Sequence, residues 1–171
     1  MQTPAPRFPH GRQWMIITLA ALLFVPVACQ EDEVCEEVTA NDLRIGFYPF
    51  DNDEWWATID SLLVFTLEKP DTPVHDTLYQ VSILELPLNT NADSCSFIID
   101  FFETRDTLWL EYQRETHLIS VECGFTMFFT LTNIEFTENY IEGLVIEEPY
   151  VTNSLDEHIT IFVPDTLPGD L

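Results

Sequence analysis

Residues able to do chemistry are abundant in one class of side chain and sparse in every other. Asp and Glu number 30, so some pair must fall at the spacing of a glycosidase acid and base, and closeness of acids along the chain carries no weight. Beyond the first 28 residues the histidines are His75, His117 and His158; the first lies in a Pro-rich stretch and the others are expected as surface residues at strand edges. No G-x-S-x-G is present to raise a serine nucleophile. Asp51, Asn52, Asp53 and Glu54 offer hard oxygens for calcium. The EF-hand glycine is missing at the sixth position of that run and Leu62 stands at the twelfth, which reads as a solvated acidic loop. Trp55 and Trp56 follow directly and could stack on a sugar or on a partner's side chain. Neighbours on a strand point to opposite faces, so at most one of the two is exposed. The expectation is a chain that is not an enzyme and holds no metal or other cofactor.

The four cysteines carry more information. Arg7 and Arg12 are the only charges before an apolar run from Trp14 to Val27, which Ala28, Cys29 and then Gln30, Glu31, Asp32 and Glu33 bring to an end. A positive segment followed by an apolar stretch of that length is the form of a secretory leader, and it falls short of the ~20 residues needed to span a bilayer. Pro26, Val27, Ala28, Cys29 resembles the lipobox of bacterial lipoproteins, with Pro26 where leucine is usual. That resemblance implies diacylglycerol on Cys29, cleavage ahead of it, and anchoring by acyl chains worth roughly 0.8 kcal/mol per buried CH₂. Ordinary secretion with Cys29 as a plain thiol is the other reading. Glu31, Asp32 and Glu33 resemble the export signal that takes Bacteroidota lipoproteins to the outer face of the outer membrane, or form a solvated stalk.

Lipidation of Cys29 leaves Cys35, Cys95 and Cys123, and three thiols cannot all pair. An oxidising compartment then suggests one bridge and one buried thiol. Cys95 sits in the apolar stretch that continues to Ile99 and behaves as a small hydrophobe, so the expected bridge is Cys35 with Cys123. Closing a loop of about 90 residues contributes about 4.5 kcal/mol in the chain-entropy model. Cys35 lies six positions after Cys29, a reach of about 20 Å at full extension. A metal site has little to build on, since no two cysteines have C-x-x-C spacing and none neighbours a histidine.

Charge narrows the choice of partner. The sequence holds 6 Lys and Arg against 30 acids, and loss of the leader would bring the net charge to about −26 with neutral histidines. Such a field repels phosphate backbones and attracts basic surfaces, which excludes nucleic acid as a partner. Disorder is excluded too, because 46% of residues are hydrophobic and 13 are Phe.

The elements that must position these side chains are strands. Period-two alternation runs through Leu43, Ile45 and Phe47, with Arg44 and Tyr48 opposite; through Leu108, Leu110 and Tyr112; through Phe125, Met127, Phe129 and Leu131; and through Ile159, Ile161 and Val163. Leu62–Leu67, Tyr79–Leu86, Phe97–Phe102 and Tyr140–Ile146 alternate less cleanly, as strands buried on both faces or bulged, for instance at Gly143. Lys69 to Pro73 and Leu88 to Asp93 read as connections. No segment has a helical repeat. The organisation expected is a leader over 1–28, a lipidated cysteine and acidic stalk over 29–41, and one all-β domain over 42–171. About eight strands predict a two-sheet antiparallel sandwich, with a closed β-barrel as the alternative.

Arg44–Tyr48 (RIGFY), Leu86–Asn89 (LPLN), Cys123–Phe125 (CGF) and Glu157–Ile159 (EHI), together with the lipobox, resemble an uncharacterised family of Bacteroidota lipoproteins catalogued as a domain of unknown function. The resemblance implies an outer-membrane lipoprotein and agrees with the Cys35–Cys123 pairing; it implies no activity. The function expected is a noncatalytic module tethered to the membrane that meets an envelope protein with a basic surface. The alternative is a glycan-binding module built on Trp55 and Trp56.

Overall fold

The computed structural model describes residues 41–51, 56–101, 104–121 and 123–164. The chain divides into two compact units, Met1–Glu33 and Val34–Leu171, the first of which lies outside the described residues. So do Cys29, Cys35, Asn52, Asp53, Glu54 and Trp55.

Eleven strands and no helix make up the described residues: β1 (Asp42–Pro49), β2 (Ile59–Thr66), β3 (Lys69–Pro73), β4 (Leu78–Val81), β5 (Ile83–Pro87), β6 (Ser94–Asp100), β7 (Arg105–Ser120), β8 (Gly124–Phe136), β9 (Gly143–Ile146), β10 (Tyr150–Val151) and β11 (Ile159–Val163). They form a four-stranded sheet in the order β5-β1-β11-β9 and a seven-stranded sheet in the order β10-β8-β7-β6-β2-β3, with β4 also on β2. The expected sandwich is present and the barrel is not, because the two sheets do not close on each other.

Four details depart from the sequence reading. The sandwich is not wholly antiparallel: β1 and β11 run parallel, Ile45 opposite Ile159 and Phe47 opposite Ile161. Parallel neighbours require a long crossover, and here the crossover is almost the entire domain. Tyr79–Leu86 is not one strand. It breaks at Ser82, after Gln80 at φ 53°, so that β4 pairs with β2 and β5 with β1 in the other sheet. Lys69 to Pro73, expected as a connection, is the edge strand β3, fully exposed and carrying Pro70 and Pro73. Proline lacks the N–H a further strand would need, so it is tolerated at an edge and blunts it. No bulge sits at Gly143, which opens β9 opposite Phe162; the register instead shifts twice between β7 and β8.

The alternating residues supply one core. Leu43, Ile45 and Phe47 of β1 and Ile159, Ile161 and Val163 of β11 join Leu62, Val64, Phe97, Ile99, Leu108 and Leu110 of the larger sheet. Each contributes roughly 1.5–3 kcal/mol by leaving water. Rings lock the packing: Phe47 meets Phe101 edge-on at 6.1 Å and Tyr112 meets Phe129 at 5.3 Å. The alternation of β8 runs out before its strand does. Phe129 and Leu131 are core, Met127 is half-buried and Phe125 is 72% exposed.

One carboxylate lies inside this core. Asp106, at the start of β7, is fully buried and accepts four hydrogen bonds, from Thr137 Oγ1 at 2.6 Å and the backbone N–H groups of Asn139, Tyr140 and Ile141 at 2.9, 2.7 and 3.0 Å. Four donors match the lone-pair capacity of an ionised carboxylate. They tie the turn after β8 to the base of β7, where Thr107 and Thr137 add two further bonds.

Candidate functional site

The four-stranded sheet turns Leu43, Ile45 and Phe47 inward, so Gly46 and Tyr48 lie on its outer face. Pairing with β11 sets Thr160 beside Gly46 and Phe162 beside Tyr48. The loop ahead of β11 lays Glu157 across this outer face. Its carboxylate occupies the space over Gly46 so closely that a Cβ there would fall inside it, which accounts for glycine in the middle of a central strand.

Glu157 is fixed at both oxygens. Thr160 Oγ1 donates to Oε1 at 2.8 Å and the Tyr48 hydroxyl donates to Oε2 at 3.1 Å. Behind Tyr48 stands the Trp56 indole, whose N–H donates to the Tyr48 hydroxyl. Burial raises the Tyr48 pKa and the Glu157 charge adds to it, while the Trp56 bond works the other way. The phenol therefore stays protonated and donating. Tyr48, Glu147, Glu157, Thr160 and Phe162 line an open cleft of about 320 Å³, and Trp56 stands at 56% exposure. Each Glu157 oxygen retains acceptor capacity. A rigid carboxylate, a second carboxylate at Glu147 and aromatic walls form a receptor for a cation or for hydroxyl groups.

Other predicted site residues are scattered. Trp56 adjoins the cleft through its hydrogen bond to Tyr48; Trp55 lies outside the described residues, as do Cys29 and Cys35. Cys123 is disulfide-bonded, and Cys95 is a half-buried free thiol whose pKa burial pushes up. Asp51 is exposed, and no group of three or more His, Cys, Asp or Glu among the described residues is placed to hold a metal. His75 is exposed, and its Nε2 lies 3.0 Å from the Glu85 carbonyl oxygen. His117 stacks on Phe128 at 4.4 Å.

His158 overturns its expectation as a surface residue, being fully buried. Its Nδ1 accepts from Arg44 N at 3.0 Å and its own N–H donates to the Arg44 carbonyl at 3.0 Å. Loss of water lowers its pKa from 6.5, against the pull of Asp156 and Glu148. The reason is the parallel register, which brings the residue before β11 under β1.

Sequence reasoning did not single out Tyr48, Glu157 or Thr160. A signal was present: RIGFY and EHI contain Arg44, Gly46, Tyr48, Glu157 and His158, and the fold sets these two motifs against each other through the bonds just described.

A family model described as a family of unknown function (DUF6452) matches residues 61–163. The chain belongs to this family. The DUF6452 match runs from β2 to the end of β11, so Glu157 and Thr160 lie inside it while Gly46, Tyr48 and Trp56 come from the segment before it. No curated protein and no solved structure matches the chain.

Proposed function

We propose that this DUF6452 protein is a noncatalytic module of the cell envelope, tethered through acylated Cys29, that binds a basic partner by seating a lysine or arginine side chain in the Tyr48–Glu157 cleft. The observation that carries the reading is the immobilised Glu157 carboxylate, linked through the Tyr48 hydroxyl to exposed Trp56. Preorganisation spares the entropy of ordering the acceptor. The net charge of −24 supplies steering. Leader, lipobox and acidic stalk support the tether and an outer-membrane location; the Cys35–Cys123 bridge would bind stalk to domain.

Calorimetric titration of the protein, purified from its native membrane in detergent, with a tri-lysine peptide tests the cleft. Saturable binding that weakens as salt rises and falls at least tenfold in Glu157→Gln is expected; equal binding by wild type and variant contradicts it. A glycan reading is favoured by Trp56 alone, since an exposed indole beside hydroxyl and carboxylate acceptors also suits a sugar face. It requires binding of a neutral oligosaccharide that is indifferent to salt and lost in Trp56→Ala.

A further inference from the structure

The β7–β8 hairpin outruns the sheet that carries it. β6 accompanies β7 only from Arg105 to Glu111, and β10 meets β8 only at Phe129 and Thr130. Gln113–Ser120 and Gly124–Phe128 therefore project as a two-stranded ribbon. Leu118 and Phe125 sit opposite each other on one face at 58% and 72% exposure, and Val121 in the turn is 88% exposed. Isolated two-stranded ribbons gain little from such residues in water, and an apolar tip of this kind marks a contact surface.

Two observations orient the tip. Asn41, where the described chain begins, donates from Nδ2 to Thr126 Oγ1 at 2.8 Å and to the Met127 carbonyl at 2.7 Å. Asn41 thus meets the ribbon at the two residues that follow Phe125. Cys123, in the tip itself, is disulfide-bonded, and the pairing expected from the sequence joins it to Cys35. Charge agrees: of 30 carboxylates in the chain, only Glu122 falls between Thr116 and Phe128. Few carboxylates at the tip mean weak repulsion from anionic headgroups there.

We infer that the ribbon tip is the pole facing the membrane, and that Leu118, Val121 and Phe125 enter the lipid interface beside the anchor. The inference rests on the tether proposed above. In the pairing expected from the sequence the bridge reaches Cys35, six positions along the chain from the lipidated cysteine, a span of about 20 Å. Apolar and aromatic side chains held at that height gain by leaving water for the acyl boundary.

The test reconstitutes the acylated protein in vesicles of phosphatidylethanolamine and phosphatidylglycerol bearing a diazirine on one acyl chain, followed by photolysis and peptide mapping. Intact mass, measured first, reports the acyl chains. Label concentrated between His117 and Phe128, falling at least fivefold in the Leu118→Ser/Val121→Ser/Phe125→Ser variant, is expected. These side chains are already exposed, so the variant keeps its unfolding temperature. An acylated protein whose tip stays unlabelled, bare or covered by a second copy, overturns the inference while leaving the tether intact. A chain without acyl groups overturns both.

Discussion

Asp106 and Glu157 are carboxylates held by neighbouring donors, and they are held for opposite ends. Asp106 is sealed in the core with four donors spent on it, three of them backbone N–H groups of one turn. Every lone pair is used, so its work is to fix that turn. Glu157 is held by two hydroxyl groups on an open face and keeps acceptor capacity toward water. Satisfaction of all acceptors marks the structural carboxylate, and immobilisation without full satisfaction marks the one available to a ligand.

The contrast can be broken at several points. Replacing Asp106 with alanine strands the four donors aimed at this buried carboxylate and should cost about 3 kcal/mol or more of stability. Its urea midpoint is expected to fall furthest of the variants considered. Gly46→Ala forces the Glu157 carboxylate from its seat and should cost about 1–2 kcal/mol. It is also expected to weaken tri-lysine binding as much as Glu157→Gln does, with calorimetry as the check. Glu157→Gln keeps size and hydrogen bonding at a solvent-facing position, so its midpoint should move by less than about 1 kcal/mol. Loss of binding with stability retained is what separates Glu157 from Asp106.

The smallest effect concerns His158. Its folded pKa lies below the unfolded value of 6.5, so the unfolded chain takes up the proton more readily. Stability from the neutral buried ring is present above pH 6.5 and is lost as pH falls from there through the lowered folded value. Wild type should thus lose stability between pH 7 and pH 5 more steeply than His158→Gln. Parallel slopes in the two chains would remove His158 from that account.

Much of the fold was legible because alternation is local. Leu43, Ile45 and Phe47, or Leu108, Leu110 and Tyr112, declare a buried face by spacing alone, and they are core. What escaped depends on pairing across the chain. Phe125 continues the alternation of Phe129 and Leu131, yet among the described residues no strand covers the ribbon there, so the same pattern ends in solvent. The burial of His158 and the seat of Glu157 over Gly46 follow from the parallel β1–β11 register, which joins residues more than a hundred positions apart. Ser82 gave no warning that the chain changes sheets, because nothing in its neighbourhood encodes the destination of β5. An exposed indole at Trp55 or Trp56 was legible, whereas its assignment to Trp56 and the hydrogen bond to Tyr48 were not.

The Trp56 indole N–H resonance gives the most direct test of the cleft. It is donated to the Tyr48 hydroxyl, which is donated in turn to Glu157, so a cation arriving at the carboxylate must register at the indole. Titration with tri-lysine at low salt is predicted to shift this resonance saturably, with the shift abolished in Glu157→Gln. Binding detected by calorimetry with the Trp56 signal unmoved would contradict the account and return the interaction to the general acidic surface.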